Sequence, residues 1–470
     1  MQVNNRVPRD IVLQMKRIME PRSVAIIGAS GKIDKVGGAI TRNALESNYP
    51  GKIYLVNPNT ATIFRRQVYP SIAAVPGEID LAEIVVPAPL VPGVMEEVAR
   101  KNVKGVIIIS AGFAEVGNDR LQAQIVRIAE RWGLRVIGPN CFGIINTEIG
   151  LDLSFTFSKA LRGATAFVSQ SGAMCCGTLD WAYKEEMGFS KFINLGNKCD
   201  VDEADALLYL VEDPQTKIIA MYVEGVTQGR RLFETMKQVS RRKPIVVLKA
   251  GITEPGARAA RSHTGSLAGS TTIVKAAVKQ SGALWTEDIE ELFDVAQVLG
   301  QRPAQGRNVA ILSNAGGLGV ITTDWCHRLG LQVPKLPAQT VDELEALLLP
   351  IASTANPIDM TGTAAYHCYK HVLNTLLQLE TLDLIIPIFV SQGLITSDGP
   401  ARAVMEEGKK GDKPILAFWM GGNTIINGVR ILRRGGIPVF SSPARVAKAA
   451  AALVTYSEYR KKAIALGTVR

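Results

Sequence analysis

The chain has 470 residues, 47% hydrophobic and 20% charged, an ordinary globular composition that excludes a disordered or low-complexity protein. Its net charge of +10 suits anionic ligands such as phosphates or nucleotides, but the basic residues are scattered without interleaved aromatics, so neither nucleic acid nor membrane is an expected partner. The six cysteines form no CxxC pair, no apolar run reaches the ~20 residues that span a bilayer, and the N-terminal segment lacks the apolar core of a secretory signal; a reduced, cytoplasmic protein is expected.

Along the chain, short β-branched runs ending in Gly, Asn or Pro alternate with helix-like stretches. "SVAIIGAS", "KIYLVNPN", "LAEIVVPA", "GVIIISAG" and "LRVIGPNC" make a first block. "ATAFVSQSG", "FSKFINLGN", "KIIAMYVEG" and "KPIVVLKAG" make a second, and "NVAILSNAGG", "LDLIIPIFV", "KPILAFWMGG" and "GIPVFSSP" a third. Continuous rather than alternating apolar strands predict parallel sheets covered on both faces, the doubly wound α/β arrangement. Polar "LGQRPAQGRN" at 299–308 reads as a linker, and a fainter boundary falls near 152, which gives three domains. Ligands of such sheets bind in the loops that follow the strands.

In the first block, "AIIGASGKIDKVGGAI" is a strand, a glycine-rich turn and a helix start. Gly28, Gly31, Gly37 and Gly38 either let the backbone approach a phosphate or serve tight turns. The spacing fits neither GxGxxG nor the P-loop, and Asn57-Pro58 stands where a dinucleotide site wants a carboxylate. The remaining strand ends, Val86–Pro89, Ser110–Gly112 and the segment around Asn140, are polar or glycine-rich as well, which favours a cleft. In the second block, Ser169-Gln170-Ser171-Gly172 is expected to form the first turn of a helix, an anion site or a plain N-cap. Glu224 ends a strand, where it either orients an imidazole or stands solvated. In the third block, Asn314 to Gly319 repeats the glycine-rich helix start, and "NPIDMTG" adds a polar loop.

His263, in "RSHTGSLAGS", has Ser262, Thr264, Gly265 and Ser266 about it in place of apolar neighbours. No further His, Cys or carboxylate at ligand spacing suggests a metal, so none is expected. Small donors suit close approach of a phosphoryl group, which an imidazole nitrogen can carry covalently. A Ser171–Glu224–His263 hydrolase is the rival, but Ser169 and Ala173 occupy the glycine positions of its Gly-x-Ser-x-Gly elbow.

Taken together, "VPAPLVPGVMEEVARKNVKGVIIISAGFAEVG", "IGPNCFGIIN", "VSQSGAM", "SHTGSLAG", "NAGGLGV" and "NPIDM" resemble the NDP-forming acyl-CoA synthetases of the succinyl-CoA synthetase superfamily, in the pattern of their α subunits. The resemblance implies a Rossmann-like CoA-binding domain over 1–152 and flavodoxin-like ligase domains over 153–304 and 305–470. It implies interconversion of acyl-CoA, phosphate and ADP with a carboxylic acid, CoA and ATP, through an acyl phosphate and a phosphohistidine. Residue by residue, His263 becomes the phosphoryl acceptor and Glu224 its orienting carboxylate. Ser169, Gln170, Ser171 and Gly172, with Gly316, Gly317 and Gly319, become the phosphate-binding helix starts. CoA falls to Gly28, Ala29, Ser30, Gly31, Lys32, Asn57, Pro58, Val86, Pro87, Ala88, Pro89, Ser110, Ala111, Gly112 and Asn140. Leu318 stands where relatives often carry proline. No ATP-grasp block accompanies these three, so a separate β subunit is expected to bring ADP or ATP and magnesium in an α2β2-type complex. The alternative is a CoA-binding regulatory subunit without turnover of its own.

Overall fold

The computed structural model describes residues 8–264, 270–393 and 395–465, with backbone alone over 260–264. Two compact units divide the chain, residues 1–286 and 287–470.

The first unit holds two sheets. One consists of β1 (Ser23–Ile27), β2 (Lys52–Val56), β3 (Thr62–Ile63), β4 (Arg66–Tyr69), β5 (Leu81–Ile84), β6 (Gly105–Ile108) and β7 (Arg135–Ile137). Its order is β3-β4-β2-β1-β5-β6-β7, parallel except for the β3–β4 pair. Without β3 this is the Rossmann order, and it reverses direction between β1 and β5. β1 is buried at all five positions, as a strand covered on both faces must be, so its apolar run needs no alternation.

The other sheet consists of β8 (Gly143–Asn146), β9 (Leu151–Ser154), β10 (Leu161–Ser169), β11 (Gly188–Asn194), β12 (Ile218–Val223), β13 (Ile245–Lys249) and β14 (Leu284–Thr286). Its order is β14-β13-β12-β10-β11-β8-β9. Five strands run parallel in the flavodoxin order, with the reversal between β10 and β12, and β8 and β9 add an antiparallel hairpin beside β11. The hairpin corrects the expected boundary near 152: the chain has already left the first sheet by Gly143. One apolar core runs through both layers, taking in Ile26 and Ile107 from the first sheet and Ile144, Leu153 and Ile193 from the second.

The second unit is one parallel sheet of β15 (Val309–Ser313), β16 (Ile358–Asp359), β17 (Leu384–Val390), β18 (Ala417–Met420) and β19 (Val439–Phe440), ordered β16-β15-β17-β18-β19. This is again the flavodoxin order. The helix Ile289–Val298 packs in this unit, where Asp294 is paired with Arg445 of the helix Pro443–Ala465 at 2.6 Å. Among the described residues no helix is long and apolar enough to cross a membrane.

One residue of β5 contradicts its surroundings. Glu83 is 0% exposed, and neither carboxyl oxygen has a hydrogen-bond partner. Burial, with the Asp152 carboxylate as a second cause, raises its pKa well above the ordinary value. A carboxyl that stays protonated when folded but ionises when unfolded costs stability as pH rises above the unfolded pKa. Glu83→Met should therefore raise the melting temperature at pH 8 and leave it nearly unchanged near pH 4, a difference that melting curves across that range will measure.

Candidate functional site

Two adjoining clefts lie in the first unit, and each opens at a sheet reversal. The outer one, about 690 Å3, sits beyond the ends of β1, β2 and β5. Gly28, Ser30, Asn57, Pro58, Val86 and Pro87 line it, all residues that the sequence assigns to CoA. Asn57 ties the strand ends together, its Nδ2 donating to the Ala29 carbonyl at 2.8 Å. Gly28 has φ +97°, and a Cβ there would lie 2.3 Å from the Val85 carbonyl oxygen, so the turn tolerates no side chain. Gly37 is packed against the Gly28 carbonyl just as tightly, so no side chain fits there either, and it lines the same cleft. Ala29 and Ala88 are buried and support the loops from beneath. Gly31, Lys32 and Pro89 are exposed and belong to the lining of neither cleft.

The inner cleft, about 570 Å3, shares Val36, Val85, Val86 and Pro87 with the outer one and continues past Ser110, Ala111 and Asn140 to the end of β10. Ser110 Oγ donates to the Val86 carbonyl, and Asn140 N–H donates to the Ser110 carbonyl at 2.9 Å, so three strand ends form one wall. Gly112 lies behind this wall. Its N–H donates to Glu115 at 2.5 Å, and an added Cβ would stand 3.0 Å from Ala88 Cβ. Burial would raise the Glu115 carboxyl, but hydrogen bonds from Asn197, Gly112 and Phe113 hold it below its ordinary range.

At the inner end the helix Gly172–Lys184 points its N-terminus into the cleft, with Gln170, Ser171, Gly172 and Ala173 in the lining. The free N–H groups and partial positive charge of such a terminus favour an anion. The helix begins at Gly172 rather than Ser169, which changes the roles expected of two residues. Ser169 is the last residue of β10 and fully buried, and its hydroxyl makes a local turn with Ser171, accepting its N–H at 3.1 Å. Ser169 shapes the loop and does not face the cleft. Ser171 is the N-cap, accepting from Met174 N–H at 3.3 Å. Its φ of −98° is relaxed extended backbone, unlike the strained elbow of a serine hydrolase.

Glu224 follows β12 and is 4% exposed, so the solvated alternative for it fails. Gln170 explains why. Its Oε1 accepts the N–H groups of Glu224 and Gly225 at 2.7 and 2.9 Å, and its Nε2 donates to the Gly225 carbonyl at 2.8 Å and to Glu203. Lys198 completes this network, donating to Glu203 at 2.8 Å and to the Gly225 carbonyl at 2.7 Å. Beneath it Lys249 donates to the Glu224 carbonyl at 2.7 Å. Burial lowers the Lys249 ammonium pKa, opposed by the Glu224 charge and reinforced by Lys198. The neighbouring Tyr222 phenol, hydrogen-bonded to Glu224, is pushed up to about 12 by burial and that carboxylate. Lys198 and Asn197 escaped the sequence reading although both line the cleft. Their signal is the polar end of "FINLGNKCD", a strand end of the same kind as Asn57-Pro58 and Ser110–Gly112.

His263 lies near the end of the helix Glu254–Thr264, and its side chain is outside the described residues. In the second unit the helix Gly316–Arg328 starts at Gly316, with Leu318 in its first turn. A Cβ on Gly316 would lie 2.4 Å from the Asp359 carboxylate, so this terminus already faces a negative group of its own domain. Gly317 is open on its Cβ side, and Gly319 rests on Pro357. Asn314 is buried and clamps Val390, accepting its N–H at 2.8 Å and donating to its carbonyl at 2.9 Å.

Three family models match the chain: a CoA binding domain over residues 22–147, a succinyl-CoA ligase like flavodoxin domain over 162–299 and a ligase-CoA domain over 309–465. The α subunit of ADP-forming acetate–CoA ligase II from Pyrococcus furiosus is 42% identical over 92% of this chain and 96% of its own length. ADP-forming acetate–CoA ligase I from Archaeoglobus fulgidus is 41% identical over 95% of this chain, which spans 64% of that longer relative. Among solved structures, dinucleotide-forming acetyl-coenzyme A synthetase 1 of Ca. Korarchaeum cryptofilum, in complex with phosphate and ADP, superposes with a TM-score of 0.92. It is 35% identical and covers 97% of this chain and 99% of its own.

Proposed function

The chain belongs to the family of ADP-forming acetate–CoA ligases, and on that premise we propose that it is the α subunit of an acid–CoA ligase that interconverts acyl-CoA, phosphate and ADP with a carboxylic acid, CoA and ATP. The observation that carries this reading is the pair of adjoining clefts running from the Rossmann reversal to the N-terminus of Gly172–Lys184. CoA lies along Gly28, Asn57, Val86 and Ser110, which brings its thioester to the helix terminus, where phosphate is held by the N–H groups behind Ser171. A phosphate oxygen attacks the thioester carbonyl, the C–S bond breaks and CoA leaves as the thiol. The acyl phosphate then gives its phosphoryl group to an imidazole nitrogen of His263, releasing the carboxylate, and Glu224 steadies the imidazolium. Gln170 and Lys198 fix the backbone that carries Glu224. Phosphohistidine finally phosphorylates ADP, which with its magnesium is bound by an ATP-grasp β subunit in an α2β2-type complex. The Pyrococcus relative's designation as an α subunit supports a partner of this kind.

The test is to incubate the full chain with acetyl-CoA and labelled phosphate, with and without the β partner. An acid-labile, base-stable protein label is expected, absent from His263→Ala and retained in Ser171→Ala. A label that survives His263→Ala overturns the assignment.

A further inference from the structure

We propose that Phe155 is the wall that limits the size of the acid this site accepts, with Asn43 as the residue that positions it; the inference rests on the CoA-ligase reading of the clefts. A CoA chain entering along Val86 and Pro87 and ending at Gly172 places its acyl group in the inner cleft. There the lining mixes polar residues, Gln170, Ser171 and Glu224 among them, with apolar ones that include Phe155, Cys141 and Ala173. An acyl group likewise has a polar carbonyl and an apolar tail. Its carbonyl belongs with the helix terminus, which leaves its alkyl end to the apolar side.

Phe155 is held so that it cannot retreat. Its ring packs edge-to-face on Phe142, with centroids 5.4 Å apart and planes at 62°. Phe142 is itself fixed: its N–H donates to Asn194 Oδ1 at 2.6 Å, and a Cβ on Gly172 would touch its Cβ at 3.4 Å. This contact also sets Phe155 one ring away from the helix start. The backbone is clamped on both sides, because Asn43 Nδ2 donates to the carbonyls of Ser154 and Thr156, each at 2.7 Å. These are the two chain neighbours of Phe155, and Asn43 sits on the helix Val36–Glu46, whose first residue lines both clefts. Phe157, two residues on, is 83% exposed, so of the two aromatics in "SFTFS" only Phe155 faces inward. A rigid apolar wall discriminates by size, by about 10–200-fold for a single methylene.

The experiment measures the affinities of free CoA, acetyl-CoA and phenylacetyl-CoA for the full chain by calorimetry. Wild type is expected to prefer acetyl-CoA. Phe155→Ala should shift the affinity ratio toward phenylacetyl-CoA by about tenfold or more, with free-CoA affinity unchanged. Phe155→Leu, which keeps an apolar contact with Phe142, should shift it in the same direction by less and serves if the alanine variant fails to fold. Asn43→Ala should move the ratio part of the way without altering free-CoA affinity, as befits a positioning residue. A wild-type preference for phenylacetyl-CoA, or a ratio unchanged in folded Phe155 variants that still bind CoA, overturns the proposal and leaves the ligase reading standing. Failure of wild type to bind CoA overturns both.

Discussion

Glu224→Gln should slow phosphohistidine formation on the order of 10²-fold while leaving CoA affinity unchanged. The carboxamide has nearly the shape of the carboxylate, so what it removes is the negative charge proposed to orient and stabilise an imidazolium, a kind of support whose loss typically costs 10–100-fold. The substitution should not disturb the fold, because Gln170 and Lys249 hold residue 224 through its main-chain N–H and C=O. The outer cleft, proposed above for CoA, is lined by other strand ends. Rapid-quench measurement of label transfer from acyl-CoA and phosphate, beside calorimetry with CoA, separates the two effects. A transfer rate close to wild type would remove Glu224 from the mechanism.

Lys191→Met should destabilise the first unit by about 3–5 kcal/mol, the usual cost of leaving one charge of a buried pair alone. Lys191 Nζ lies 2.9 Å from Asp213 Oδ2 with the two side chains 1% and 5% exposed. Burial would raise the Asp213 carboxyl, but hydrogen bonds from Thr216 and Lys191 and the lysine charge hold it below its ordinary value. A carboxyl lowered in the folded state gives stability above its unfolded pKa and loses it as pH falls through the folded one, so the pair should help least in acid. Lys191→Met with Asp213→Asn should recover much of the loss, since the amide still accepts from Thr216 and no charge remains to be paired. Urea melts of wild type, the single variant and the double variant decide this. A double variant as unstable as the single one would place the cost in packing rather than charge.

Much of the fold was legible because its strands are continuous apolar runs that need no partner to be recognised. β1, β10 and β15 all emerge in this way, each followed by its glycine-bearing helix start. The hairpin β8–β9 did not emerge, since β8 becomes a strand only through pairing with β11, some forty residues further on, and β9 only through pairing with β8. β16, two residues long, depends in the same way on β15. The site divides along similar lines. Strand-end loops such as Asn57-Pro58 and Ser110 announce themselves by composition. The burial of Glu224 did not, because it is set by an amide from the end of a different strand. The strand-end position of Lys198 is visible in composition, but its role in holding Glu224 is not, because its partners Glu203 and Gly225 are brought to it by the fold. Ser169 misled because hydroxyls on either side of a strand end look alike, and only the start of the helix at Gly172 shows which one faces outward.

The hairpin has a practical consequence for dividing the protein. β9 packs on the helix Val36–Glu46 while β8 pairs with β11, so residues 143–154 are shared property of the two layers. A fragment ending at residue 152 would carry a torn hairpin with an unsatisfied edge, and its complement would begin without the strand that closes its own sheet. Both pieces should aggregate on expression, whereas residues 1–286 should remain soluble as a single piece. The same stitching joins the two layers whose strand ends together line the inner cleft.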